Sequence, residues 1–143
     1  MINAVCFTVP GEPQGKGRAK IVKIGGFSRM ATPAKTVAYE GLVAHEAQAA
    51  MRGAEPFDGA CALEVDVVCS VPKSATKRFA ADALTGRARP TKKPDADNVL
   101  KAICDGMNGV VWKDDVQAVE VRVSKRYGQT PGVHVRVAAL EAA

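Results

Sequence analysis

Three observations predict an α/β fold, a single compact domain with a mixed β-sheet and helices packed on it. Residues 59–71, GACALEVDVVCSV, alternate apolar and polar as a strand does. Residues 36–51 and 95–107 instead carry apolar side chains at helical spacing. These stretches succeed one another along 143 residues with no linker, low-complexity tract or internal repeat. That length suits one domain, spanning 1–143.

Residues 2–9, INAVCFTV, read as a short strand rich in β-formers. The Pro/Gly-punctuated PGEPQGKGRAK that follows is loop. Residues 20–24, KIVKI, alternate as a strand or hairpin arm, broken by Gly25-Gly26. Thr36 is the expected N-cap of a helix to Met51, with Val37, Leu42, Val43, Ala47, Ala50 and Met51 on its apolar face and Arg52-Gly53 as its stop. In the strand at 59–71, Cys61, Leu63, Val65, Val67 and Cys69 share a face. A short basic helix over 74–84 ends near Gly86, and TGRARPTKKP leads onward. The next helix begins at Asp95 or Asp97 and runs to Met107, with Asn108-Gly109 as its stop. Residues 116–126 and 133–137 alternate again around the turn chemistry of YGQTPG, so they are expected to pair antiparallel.

Several classes are excluded. No apolar run approaches the ~18 residues that span a bilayer, so no membrane partner is expected. The start, MINAVCFTVPGEP, lacks the basic and apolar regions of a signal peptide, so the chain is expected in the cytoplasm. Cys6, Cys61, Cys69 and Cys104 form no C-x-x-C pair and are read as reduced, buried thiols. His45 and His134 stand alone. GEPQGKGRAK lacks the Gly-Lys-Ser/Thr of a Walker A loop, and neither a Rossmann fingerprint nor G-x-S-x-G occurs.

The net charge of +5 is unevenly spread. Lys16, Arg18, Lys20 and Lys23 gather near the N-terminus. Lys73, Lys77, Arg78, Arg87, Arg89, Lys92 and Lys93 gather before residue 94, with Asp82 the one acid among residues 73–93. Such a layout suits a phosphate-backbone track, and equally a solvated basic face.

Immediately afterwards, residues 92–115 hold Asp95, Asp97, Asp105, Asp114 and Asp115. At ~100° per residue, Asp97, Asn98, Lys101 and Asp105 share one helix face, opposite Val99, Leu100, Ile103, Cys104 and Met107. The apolar face fixes the direction of the polar one. If a turn brings Asp114 and Asp115 back to Asp95 and Asp97, their oxygens make a hard-ligand site for Mg²⁺, with Mn²⁺ as a substitute. Lys101, one turn beyond Asp97, is placed to stabilise charge on a phosphate. The same residues also suit ordinary roles: acids at a helix start favour its dipole, and Asp97 with Lys101 is a common i,i+4 pair. An EF-hand is excluded, because Leu100 stands where that loop needs Gly.

The stretch KPDADNVLKAICDGMNGVVWKDDVQAVEV resembles the core motif of the RusA family of Holliday junction resolvases, endonucleases often carried by prophages. The pattern is a basic residue or proline, D-x-D-N, a Lys, then a paired Asp followed by Gln-Val-Val or similar, with Ala118 the departure here. VPGEPQGKGRAK and VPKSATKRFAADALTGRARPTKKPDADN resemble the family's opening and its approach to the motif. By that resemblance Asp95, Asp97 and Asp115 are the catalytic, metal-binding carboxylates, Lys101 the essential cation, Asp114 a supporting metal ligand and Asn98 a helper. It also implies a Mg²⁺ cofactor, a homodimer, and paired nicks in four-way DNA during recombination and repair. Lys16, Arg18, Lys20, Lys73, Lys77, Arg87, Arg89, Lys92 and Lys93 are the expected DNA contacts. With one Trp, two Tyr and four Phe, base stacking is expected to contribute little. Two other readings are a non-catalytic module that binds branched DNA and a small enzyme acting on nucleotides; the broad basic surface argues against the second.

Overall fold

The strand with the strictest alternation lies in the middle of the sheet. In the computed structural model, which describes residues 3–141, β4 (Cys61–Ser70) is flanked on both sides. The other strands are β1 (Ala4–Pro10), β5 (Ala118–Gly128) and β6 (Gly132–Ala139), in the order β1-β6-β4-β5. β6 runs antiparallel to both β1 and β4, while β4 and β5 are parallel, so the sheet is mixed. β2 (Lys20–Ile24) and β3 (Phe27–Ala31) form a separate two-stranded ribbon.

Helices α1 (Ala34–Met51) and α3 (Ala96–Met107) cover one face of the sheet. Their Tyr39, Val43, Ala47, Val99, Ile103 and Met107 pack against Val5, Phe7, Val9, Leu63, Val65, Val67, Val133, Val135 and Val137. Every second residue of three strands thus serves one core, which is why the alternation was so clear. α2 (Lys77–Thr85) lies over β5, where Phe79 meets Tyr127 edge-to-face at 5.8 Å. No helix is long and apolar enough to cross a membrane among the described residues.

Four expectations need correction. β5 and β6 are not a hairpin, because β4 lies between them. Their connection crosses the end of β4 within residues 129–131, and it does so tightly: a Cβ on Gly128 would sit 2.5 Å from Val68 Cγ1. Alternation shows that a segment is a strand and is silent about its neighbour. Thr36 does not cap α1, which starts at Ala34 after Pro33. Its hydroxyl is buried and accepts the Gly17 N–H at 2.9 Å, tying the preceding loop to the helix. Val37 is 55% exposed, and Tyr39 takes the inward position instead. α2 begins three residues later than expected, because Thr76 caps it by accepting the Phe79 N–H at 3.1 Å.

Candidate active site

The head of α3 and the 3₁₀ turn Asp115–Gln117 before β5 bring the chemistry together. Parallel pairing of β4 and β5 puts that turn beside α3, so Asp115 arrives next to the helix face carrying Asp97 and Lys101. Asp97, Lys101 and Asp115 line one shallow depression, floored by Leu100, Cys104, Ala118 and Val121. Lys101 Nζ lies 3.2 Å from Asp105 Oδ1 and 4.0 Å from Asp115 Oδ2. The Asp105 hydrogen bond, then the nearby carboxylate charges, hold the Lys101 pKa above its ordinary 10.5. The lysine is therefore a cation at any physiological pH.

Asp115 is oriented from behind. Asn108 Nδ2 donates to Asp115 Oδ2 at 3.4 Å, and Asn108 Oδ1 accepts the Trp112 indole N–H at 2.9 Å. Trp112 is fully buried, so it fixes Asn108 and, through it, the carboxylate. Gln117 secures the same turn, accepting the Lys113 N–H and donating to the carbonyls of Phe57 and Gly59 at 2.8 and 3.0 Å. From β5, Lys125 Nζ donates to the carbonyls of Lys92 and Pro94 at 2.8 and 2.9 Å, holding the approach to α3. Sequence reasoning read Asn108 as a helix stop and gave Trp112 and Lys125 no role. The available signal was Asn108 and Trp112, four apart, flanking the run Gly109-Val110-Val111 just before the paired Asp. Replacing Asn108 by Ala is expected to lower the rate of any reaction at Asp115 about 10-fold or more, as for other groups that orient a ligand, with little change in substrate binding. Single-turnover kinetics would check this, and an unchanged rate would remove Asn108 from the site.

The carboxylates do not converge as the sequence reading expected. Among the described residues, no three His, Cys, Asp or Glu side chains lie close enough together to hold a metal ion. Asp114 does not line the depression and instead caps the 3₁₀ turn: its Oδ1 accepts the Asp115 N–H at 2.9 Å. Asp95 occupies the N-cap position of α3 without a side-chain capping bond, and it lines a second groove with Pro13, Gly15, Arg18, Lys93 and Asn98. Like charges placed together repel, and these two positions keep them apart. Asp97 and Asp115 remain as the pair that shares a depression. That donor set fits Mg²⁺, which commonly takes one or two carboxylates and completes its shell with water and phosphate oxygens. The neighbouring sulfur of Cys104 is a soft donor that does not suit a hard cation; burial, then the Asp115 charge, pushes its thiol up to about 12.

The expected DNA contacts fall into two groups. Arg18, Lys20, Lys73, Lys77, Arg87, Arg89, Lys92 and Lys93 are exposed. Lys16 is turned inward, with its Nζ 2.9 Å from both Glu40 Oε2 and Asp105 Oδ2. Its amine is committed to joining α1 to α3, with its backbone N–H bonded to the Asn98 carbonyl at 2.9 Å. Asn98, the expected helper, contributes this carbonyl and otherwise lines the Asp95 groove. A chain of alternating charge thus runs Glu40, Lys16, Asp105, Lys101, Asp115.

This chain has a pH signature. Burial alone would raise the Asp105 pKa, but the ammoniums of Lys16 and Lys101 win and hold it below 3.8. A depressed carboxylate stabilises the fold above its unfolded pKa and loses that contribution as pH falls through the folded one. The Tm difference between wild type and Asp105→Asn is therefore expected to be constant above pH 3.8 and to shrink below it. A constant difference down to the acid transition would mean that the ion pairs add nothing.

A family model described as endodeoxyribonuclease RusA matches residues 10–138. A curated relative from Bacillus subtilis (strain 168), described as uncharacterized protein YqaN, is 36% identical over 138 residues, covering 95% of this chain and 96% of its own. The matched span contains β6 to its penultimate residue, both grooves at the head of α3, and the Asp115 turn. The chain therefore belongs to the RusA family of endodeoxyribonucleases.

Proposed function

We propose that this protein is a Mg²⁺-dependent, structure-selective endodeoxyribonuclease that resolves four-way DNA junctions by paired nicks, in recombination and repair. The observation that carries the reading is the shared depression of Asp97, Lys101 and Asp115, within a chain of this family. Asp97 and Asp115 would hold the ion, with Asp95, two residues before Asp97, as the candidate further ligand. Bound there, Mg²⁺, or Mn²⁺ in its place, supplies an activated water at neutral pH and relief of phosphate charge. Lys101, held protonated, stabilises the negative charge that builds on the scissile phosphate. Asn108 and Trp112 keep Asp115 in place, so little reorganisation is needed during the reaction. The exposed basic residues bind backbone phosphates and position the DNA without reading its sequence. Paired nicks require two active sites, which supports a homodimer. A DNA substrate supports a cytoplasmic, nucleoid-associated location, and the family resemblance supports a prophage setting.

The test is nicking of a synthetic four-way junction against linear duplex of the same sequence, in Mg²⁺ and in EDTA. The expected result is junction-selective, symmetrically paired nicks in Mg²⁺ and none in EDTA. Tight junction binding with no cutting in Mg²⁺ or Mn²⁺ would instead support a non-catalytic module that binds branched DNA.

A further inference from the structure

The β2–β3 ribbon has no partner within the described fold. Its strands pair only with each other, and every residue is exposed except Ala31. Gly25 and Gly26 make the turn, both at positive φ (56° and 87°), as a two-residue hairpin turn of matching twist requires. An isolated hairpin is only marginally stable in water. This one nevertheless shows Phe27 at 80% exposure, Ile21 at 71%, Met30 at 62% and Ile24 at 51%. Surface of that kind marks an interaction site.

We infer that the ribbon is a DNA-binding arm that engages the branch point beside the scissile phosphate, an assignment that rests on the nuclease reading. Charge selects the partner. Residues 13–39 contain Lys16, Arg18, Lys20, Lys23, Arg29 and Lys35 and no acidic residue. A second copy of the chain, net basic itself, is a poorer match than a polyanion. Position agrees. The segment entering β2 is bonded to α3 through Lys16 N–H and the Asn98 carbonyl, and to α1 through Gly17 N–H and Thr36, with Arg18 in the groove that contains Asp95. The arm is therefore rooted at the catalytic helix and free at its tip.

Register sorts the contacts. On one face, Lys20 opposite Ala31 stands at the base, Arg29 opposite Val22 in the middle, and Phe27 opposite Ile24 at the tip. Cations near the root meet phosphates, while an aromatic and aliphatic tip inserts where base pairs open. A two-stranded ribbon also fits the major groove of a duplex arm. The low aromatic content predicted little stacking, but one of the four Phe is the most exposed large apolar side chain of this arm.

The experiment measures affinity for a four-way junction and for linear duplex in EDTA, so that binding is read without cutting. Phe27→Ser is expected to lower the junction-to-duplex affinity ratio about 10-fold, the scale of one lost base stack. Lys20→Ala/Arg29→Ala is expected to weaken binding to both and to reduce the salt slope by roughly 2. If both variants bind as wild type does while wild type nicks junctions, the arm assignment fails and the nuclease reading stands. A fall in oligomeric state on Phe27→Ser, by sedimentation, with the affinity ratio unchanged would overturn it in favour of a contact between copies. A wild-type chain that neither binds nor nicks DNA would overturn both.

Discussion

Asp97→Asn is expected to abolish nicking, by about 10²–10³-fold or more, while junction binding and Tm stay close to wild type. The side chain lies on the exposed face of α3 and makes no ion pair among the described residues, so the amide costs the fold little. What it removes is one of two carboxylates in the depression shared with Lys101. A neutral amide oxygen is a far weaker partner for a hard cation than a carboxylate. On the proposed reading, binding rests elsewhere, on the exposed cations of the loops, α2 and the β2–β3 arm. The check is single-turnover cleavage beside a binding isotherm for the same variant. Wild-type nicking would show that the reaction takes place outside this depression. Equal losses in cleavage and binding would reduce Asp97 to a structural contact.

The second large effect concerns the seam between the helices. A Cβ on Gly106 would sit 2.6 Å from Val43 Cβ and Cγ1 and 2.9 Å from the Glu40 carbonyl. Alanine usually favours a helix by up to about 1 kcal/mol over glycine. Here the overpacking should exceed that, because one obstacle is backbone on α1 that cannot rotate away. Gly106→Ala is expected to destabilise by roughly 1–3 kcal/mol, a fall in Tm of about 4–10 °C. The damage also reaches the chemistry, since Glu40 and Asp105 hold Lys16 across this seam and Asp105 holds Lys101. Thermal unfolding and nicking rate should fall together. A raised Tm would mean that the helices part at no cost.

The amphipathic pattern of α3 was legible because Val99, Ile103 and Met107 recur at helical spacing against charged neighbours. The contribution of Gly106 to the same seam was not, because a missing side chain leaves no hydrophobic signal. The strand character of β5 was legible; its position at the sheet edge was not. Its alternating Val119 and Val121 stay 62% and 48% exposed, since no helix covers them fully. That Asp97 and Lys101 share a helix face followed from helical spacing alone, and both line one depression with Asp115. Which of the paired Asp residues faces that site depended on capping: Asp114 is used by the turn and Asp115 is freed. The pairing of Lys16 was not legible, because a basic residue in a basic run gives no sign that two half-buried acids, from α1 and α3, lie 2.9 Å from its amine.

Sheet order also has a consequence for synthesis. β6 separates β1 from β4, so the first sheet strand and the central one do not pair and wait for the last. Residues 132–139 must leave the ribosome before the sheet can close. Pairings across such sequence distances form slowly, and until then β4 presents an open hydrogen-bonding edge to other chains. A nascent chain of this protein thus carries α3 and Asp115 complete in sequence yet without the sheet that aligns them. Their alignment waits for β6, the segment that closes the sheet.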